Sequence, residues 1–113
     1  MSEEYSTERL LREQGSLVHT IKGVSMMPLL DQNKDAVHLI PVNCELQKND
    51  IVLFKRANGA LVLHRIIKIR EDGYVIRGDN CLGSELVSRE NIIAIADAVY
   101  KNGRYIPCND KKL

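Results

Sequence analysis

The residues of this chain best suited to chemistry sit in two short segments. Gly23-Val24-Ser25-Met26-Met27-Pro28-Leu29-Leu30 holds a serine in a sharp-turn setting, and Leu61-Val62-Leu63-His64-Arg65-Ile66-Ile67 holds a histidine in a strand setting. A hydroxyl is a poor nucleophile until a base removes its proton, and a neutral imidazole is a base that works near neutral pH. Ser25 and His64 are therefore the first candidates for nucleophile and base. Gly23 permits a tight backbone and Pro28 restricts the backbone around it. A serine held on such a turn can present its Oγ while neighbouring N–H groups stay free for an oxyanion. Gly23, Met26 and Met27 are the candidates for that oxyanion and substrate-binding part. Taken singly, each residue has a structural alternative: a turn serine bonds locally, and a mid-strand histidine is a satisfied, partly buried one.

Other residues bear on the same chemistry. Asp79 and Asn80 follow Gly78 on a turn, where Asp and Asn serve turn geometry, but a carboxylate there could also orient His64. Glu85, six residues on, is the second such carboxylate. His19 and His38 sit in poorer settings for a base, His19 too close before the serine loop and His38 inside an apolar run with no turn motif. Met26, Met27, Leu29 and Leu30 either line a groove for an extended peptide or fill the core. By strand alternation His64 shares a face with Val62, Ile66 and Lys68.

The elements that must position these residues are mainly strands. Ser6 to Glu13 predicts one short helix, capped by Ser6 or Thr7 and stopped by Gly15. Leu17, His19 and Ile21 alternate with Val18, Thr20 and Lys22, as in a strand. Ala36 to Val42, Ile51 to Arg56, Ala60 to Arg70, Tyr74 to Arg77 and Ile92 to Tyr100 read as further strands. Gln47 to Asp50 is a polar turn, Asn58-Gly59 is the strongest hairpin signal, and Asp72-Gly73 is a second. Asn102 to Ile106 offers one more turn and strand before a charged end. The expectation is one domain over residues 1–113: an N-terminal helix within 1–15, a β core over 16–100, and a C-terminal turn and tail over 101–113. The fold class is mainly β, with mostly antiparallel coiled sheets that are partly barrel-like.

Bulk composition agrees with one small globular domain. The chain has 113 residues, 44% hydrophobic and 27% charged, with a formal net charge of +1. That size allows one hydrophobic core and not a second. Nothing in the charge calls for nucleic acid. Cys44, Cys81 and Cys108 are odd in number and widely spaced, which fits neither a metal site nor a disulfide framework and suits a reducing cytoplasm. The N-terminus is polar and acidic, unlike a secretory signal, and no apolar run is long enough to span a membrane. A soluble protein is expected, with peripheral membrane contact left open.

Taken together, the segments resemble the serine peptidase superfamily that contains signal peptidase I and the LexA-type self-cleaving repressors. Gly23 to Pro28 is similar to its nucleophile box. Asn49-Asp50-Ile51-Val52-Leu53-Phe54 is similar to its G-D-I-V-x-F strand, with Asn49 in place of the usual glycine. Leu63-His64-Arg65-Ile66-Ile67-Lys68-Ile69 resembles the H-R-V box of the archaeal and endoplasmic-reticulum branch, and Gly78-Asp79-Asn80 its G-D-N box. The order matches, Ser25 and His64 are 39 residues apart as suits that branch, and the likeness covers about residues 17–100. The resemblance implies Ser25 as nucleophile and His64 as base where most bacterial relatives have lysine. It also implies an acidic third member, best matched by Glu85 with Asp79 as the contender. Three departures stand beside it: no membrane anchor, Gly23 where a hydroxyl residue often helps bind the oxyanion, and no DNA-binding domain before the serine.

The expected function is a soluble signal-peptidase-like serine endopeptidase that cleaves an extended peptide or precursor protein, needing no cofactor and no metal. The alternative is a catalytically weak or inactive peptide-binding or maturation partner with the same fold. Self-cleavage, as in the repressor branch, is a third and weaker expectation.

Overall fold

The computed structural model describes residues 3–21, 23 and 25–109; Lys22, Val24 and the charged end at 110–113 lie outside the described residues. The chain begins with helix α1 (Glu3–Gln14). Its start precedes Ser6 and Thr7, so neither stands at the expected cap position. Gly15 ends the helix as expected, with φ at +78° and its N–H bonded to the Leu11 carbonyl at 2.9 Å. Leu11 is the buried anchor of α1, and Glu8 reaches Lys55 at 3.1 Å.

Among the described residues eight strands come next, all paired antiparallel: β1 (Leu17–Thr20), β2 (Asp35–Pro41), β3 (Ile51–Lys55), β4 (Leu61–Arg70), β5 (Gly73–Arg77), β6 (Glu85–Val87), β7 (Ile92–Lys101) and β8 (Arg104–Pro107). The order across the sheet is β1-β2-β7-β3-β4-β5-β6, with β8 also paired to β7. The mainly β, antiparallel expectation holds. The long strand β7 is the organiser. One margin pairs with β2, and the other pairs first with β3 and then with β8.

The turns differ from the sequence reading in instructive ways. Arg70 pairs directly with Gly73, so the β4–β5 turn is Glu71-Asp72 and Gly73 already belongs to β5. Asn58-Gly59 belongs to a longer loop, closed by Arg56 N–H on the Ala60 carbonyl and by Gly59 at φ +89°. The two-residue turn with both residues at positive φ is Asn102-Gly103 (+54° and +84°), joining β7 to β8, the pattern Asn-Gly favours. Strand β6 carries no alternating signal in the sequence and is a three-residue edge strand.

Where one core was expected, the sheet divides the apolar residues into two clusters on its opposite faces. One gathers Leu11, Ile21, Met26 and Leu30 against Val37, Leu39, Ile51, Leu53, Ala94, Ala96 and Val99. The other joins Leu46 to Val52, Phe54, Ile66, Ile76, Val87, Ile92 and Ile95. Strand β3 is buried on both sides, which is why Ile51 to Phe54 is an unbroken apolar run rather than an alternating one. Among the described residues no helix is long and apolar enough to cross a membrane.

Candidate active site

Ser25 lies on the turn Ser25–Leu29. Leu30 N–H bonds to the Met26 carbonyl at 2.9 Å, and Gly23 at φ +76° gives its N–H to Gln32 Oε1 at 3.0 Å. The Met27–Pro28 peptide is cis. Met26 and Leu30 point inward and are almost wholly buried, so their core role holds for these two. Met27 and Leu29 are half-buried, and Leu29 packs against the core.

A buried salt link secures the far end of the loop. The Asp35 side chain is fully buried and bonded to Lys101 Nζ at 2.7 Å, to Asp31 N–H at 2.8 Å and to Asn102 N–H at 2.8 Å. Lys101 Nζ also donates to the Leu29 carbonyl. Burial alone would raise the Asp35 pKa, but these donors outweigh it and hold it below its ordinary value of 3.8.

His64 lies in β4 opposite Val52 of β3 and is 7% exposed. Its ring is tilted 59° to that of Phe54, with centroids 6.1 Å apart. The face assignment holds for Val62 and Ile66 but not for Lys68. A bulge between Ile66 and Lys68 sets Lys68 opposite Val75, the residue that alternates with Ile76, so Lys68 is carried off the His64 face.

The two candidates meet: His64 Nε2 is 3.1 Å from Ser25 Oγ. The His64 pKa is lowered from 6.5, chiefly by burial; Glu85 opposes that, Arg56 adds to it and Asp79 opposes it. The imidazole is therefore neutral at neutral pH, the state a base requires. The other ring nitrogen, Nδ1, is buried and has no hydrogen-bond partner among the described residues.

Gly78 explains how the pair is held, and the sequence marks it as part of a turn and of the Gly78-Asp79-Asn80 segment without showing that role. The β4–β5 ladder ends with Arg65 opposite Arg77, and one more step brings Gly78 opposite His64. A Cβ on Gly78 would lie 2.7 Å from the Ser25 carbonyl oxygen, 2.8 Å from Cys81 Sγ and 2.9 Å from His64 Nε2. No side chain fits there. The next residues clasp the serine loop: Asn80 N–H donates to the Ser25 carbonyl at 2.7 Å, and Asp79 N–H points at Met26 Sδ at 3.4 Å.

The two candidate carboxylates are engaged by arginines. Asp79 takes both Arg65 Nε and a terminal nitrogen, at 2.8 and 2.9 Å, and Arg65 also binds the Asn49 carbonyl at 3.0 Å. Glu85 takes Arg56 Nε at 3.2 Å and its terminal nitrogen at 2.7 Å. His38 bonds through Nδ1 to Asp97 at 2.6 Å, apart from the serine, whereas His19 lines the same groove as Ser25. That groove, about 400 Å³, runs between the end of β1 and Leu61–His64 of β4, with Arg56 and Cys81 also in its wall. Arg56 and Cys81 carry no motif that marks them in the sequence. The three thiols are unpaired, and burial pushes Cys108 up to about 11.

Such an arrangement can lower the cost of deprotonating one hydroxyl beside a groove, the requirement for acyl transfer. Comparison with protein-family models, with curated proteins and with solved structures finds no match for this chain.

Proposed function

We propose that the protein is a serine endopeptidase of the signal peptidase type, with Ser25 as nucleophile and His64 as general base. The observation that carries the reading is the 3.1 Å contact between Ser25 Oγ and His64 Nε2, made across 39 residues of sequence by a histidine kept neutral by burial. In this mechanism Nε2 accepts the Oγ proton as Oγ adds to a peptide carbonyl. His64 then returns the proton to the departing amine, leaving an acyl-enzyme that water cleaves by the same route in reverse. Because Gly23 N–H is taken by Gln32, the N–H groups of Ser25 and Met26 are the ones assigned to the oxyanion. The substrate is an extended peptide or precursor segment laid along the β1 edge of the groove, with small residues at the cut beside Gly78 and Met26. A reducing, cytoplasmic setting suits the three free thiols.

The orphaned Nδ1 favours one second reading, a partner that holds a peptide in the groove without turning it over. One experiment separates the two. A fluorophosphonate probe followed by peptide mapping is expected to modify Ser25 in the wild type and to leave Ser25→Ala and His64→Ala unmodified. A label elsewhere, or an equal label in Ser25→Ala, rejects the hydrolase.

A further inference from the structure

The Arg56–Glu85 pair has the placement of a latch on the dyad. Four strands put the relevant groups on one face of the sheet. Phe54 pairs with Val62, Val52 with His64, Ile66 with Ile76, and Ile76 with Glu85, and side chains directly opposite share a face. Glu85 stands two strands from His64 on that face, and its charge acts on the His64 ring. Arg56 lies over Phe54, its guanidinium carbon 6.0 Å from the ring centre, and lines the groove beside Ser25. Its fork closes on both Glu85 oxygens. Thus the carboxylate on the His64 face is taken, and His64 Nδ1 is left buried without an acceptor among the described residues.

That orphan fixes the resting proton. A proton on Nδ1 would be a buried donor with no partner, which costs about 1–3 kcal/mol and is the rarer defect in proteins. A proton on Nε2 donates to Ser25 Oγ instead. This tautomer cannot accept the serine proton.

Resting on the hydrolase reading, we infer that Arg56 is the specificity-determining residue of the groove and that an acidic group on the substrate switches the site on. A substrate carboxylate takes the Arg56 fork, and Glu85 is released to accept a hydrogen bond from His64 Nδ1. The imidazole gives up its Nε2 proton to water and gains one from water at Nδ1, with no net change in charge. Nε2 is then free to act as base. Glu85 in this scheme is a positioning residue and does not touch the substrate.

The test has two readouts. In the first, ¹⁵N NMR of the histidine ring nitrogens locates the His64 proton while glutarate is titrated in. The proton is expected on Nε2 in the free wild type and on Nδ1 at saturating glutarate. In Glu85→Gln it stays on Nε2 throughout, and in Arg56→Leu it sits on Nδ1 without glutarate. A proton already on Nδ1 in the free wild type, or one indifferent to saturating glutarate, overturns the latch. In the second, mono-4-nitrophenyl glutarate and 4-nitrophenyl butyrate are compared as substrates. A preference of about tenfold in kcat/KM for the acidic ester is expected, from the strength of a charge-assisted hydrogen bond. Arg56→Leu is expected to lose that preference and to hydrolyse the butyrate ester faster than wild type, a gain that mere loss of structure would not give. Equal kcat/KM for the two esters in the wild type also overturns the latch. If the fluorophosphonate leaves Ser25 unlabelled even in Arg56→Leu, whose dyad is on without glutarate, the hydrolase reading falls, and the NMR titration still decides the latch by itself.

Discussion

At the scale of single residues, the site depends on a position that contributes no functional group. Gly78 lets the serine loop and His64 approach because the space a Cβ would need is filled by the Ser25 carbonyl, Cys81 Sγ and His64 Nε2. Gly78→Ala is expected to part Ser25 from His64 and to cut the rate of fluorophosphonate labelling about a hundredfold, the penalty for displacing reacting groups by roughly an ångström. Its thermal melting midpoint should move far less than its labelling rate, since the position is in a turn; a midpoint collapse with labelling lost in proportion would make Gly78 a folding residue only. The pH dependence comes from His64. Burial lowers its pKa from 6.5, so the neutral form persists below that value, and labelling should fall with acid only at a pH beneath 6.5. The unfolded chain binds this proton more readily than the folded one, so stability also declines as pH drops from about 6.5 toward the lowered value. A labelling profile with its midpoint above 6.5 would contradict the burial argument. Serine and histidine are legible in the sequence as a pair only through the order and spacing of their segments with Asp50 to Phe54 and Gly78 to Asn80; singly, each reads as structural. Arg56 and Cys81 are not, since a rim arginine and a lone thiol acquire meaning only from what the fold sets beside them.

At the scale of elements, the serine loop is a graft held at both ends, and its anchors are only partly readable. The sequence reading begins a strand at Ala36 and gives Asp35 no role. In the structure its buried carboxylate fastens the loop to the β7–β8 turn through Lys101 and Asn102. Asp35→Ala leaves the Lys101 ammonium and two N–H groups without their acceptor and is expected to cost about 3 kcal/mol in a denaturation midpoint experiment. A change under about 1 kcal/mol would show that Lys101 simply turns to solvent. Because the folded Asp35 pKa is lowered, its contribution is complete above 3.8 and disappears as pH falls through the lower folded value. Asn49 is a second case. It takes φ +79°, the left-handed region that Asn tolerates and β-branched residues do not. Asn49→Gly should change stability by less than about 1 kcal/mol, whereas Asn49→Val should cost about 1–2 kcal/mol. Equal effects of the two substitutions would show that the Asn49 side chain, not its backbone, matters there. The helix start and the Asp72-Gly73 turn are misplaced by the sequence for one reason: several neighbouring residues satisfy the same cap or turn preference, and tertiary packing decides among them.

At the scale of the whole molecule, the strands are legible in the sequence but their order is not. Alternation and Asn-Gly turns reveal where strands lie. They do not reveal that β7, last but one in the chain, inserts between β2 and β3, because that pairing joins residues far apart in sequence. The same order explains why two apolar clusters form from one chain: a sheet with β3 and β7 at its centre buries both faces, and the helix and serine loop cover only one. It also sets the edges. β1 and β6 each pair with a single strand, and β1 ends at the groove beside Ser25. An edge strand carries a row of backbone groups without a ladder partner on one side, which an extended peptide can complete. Amide hydrogen exchange should therefore be slowest in β7 and β3 and fastest in β1 and β6, since local opening is least costly where burial and pairing are least. Binding of an extended peptide to Ser25→Ala should slow exchange at residues 17–21 selectively, leaving β6 unchanged. Protection confined to β6, or spread evenly over the sheet, would place the peptide elsewhere and remove the edge of β1 from the proposed substrate path.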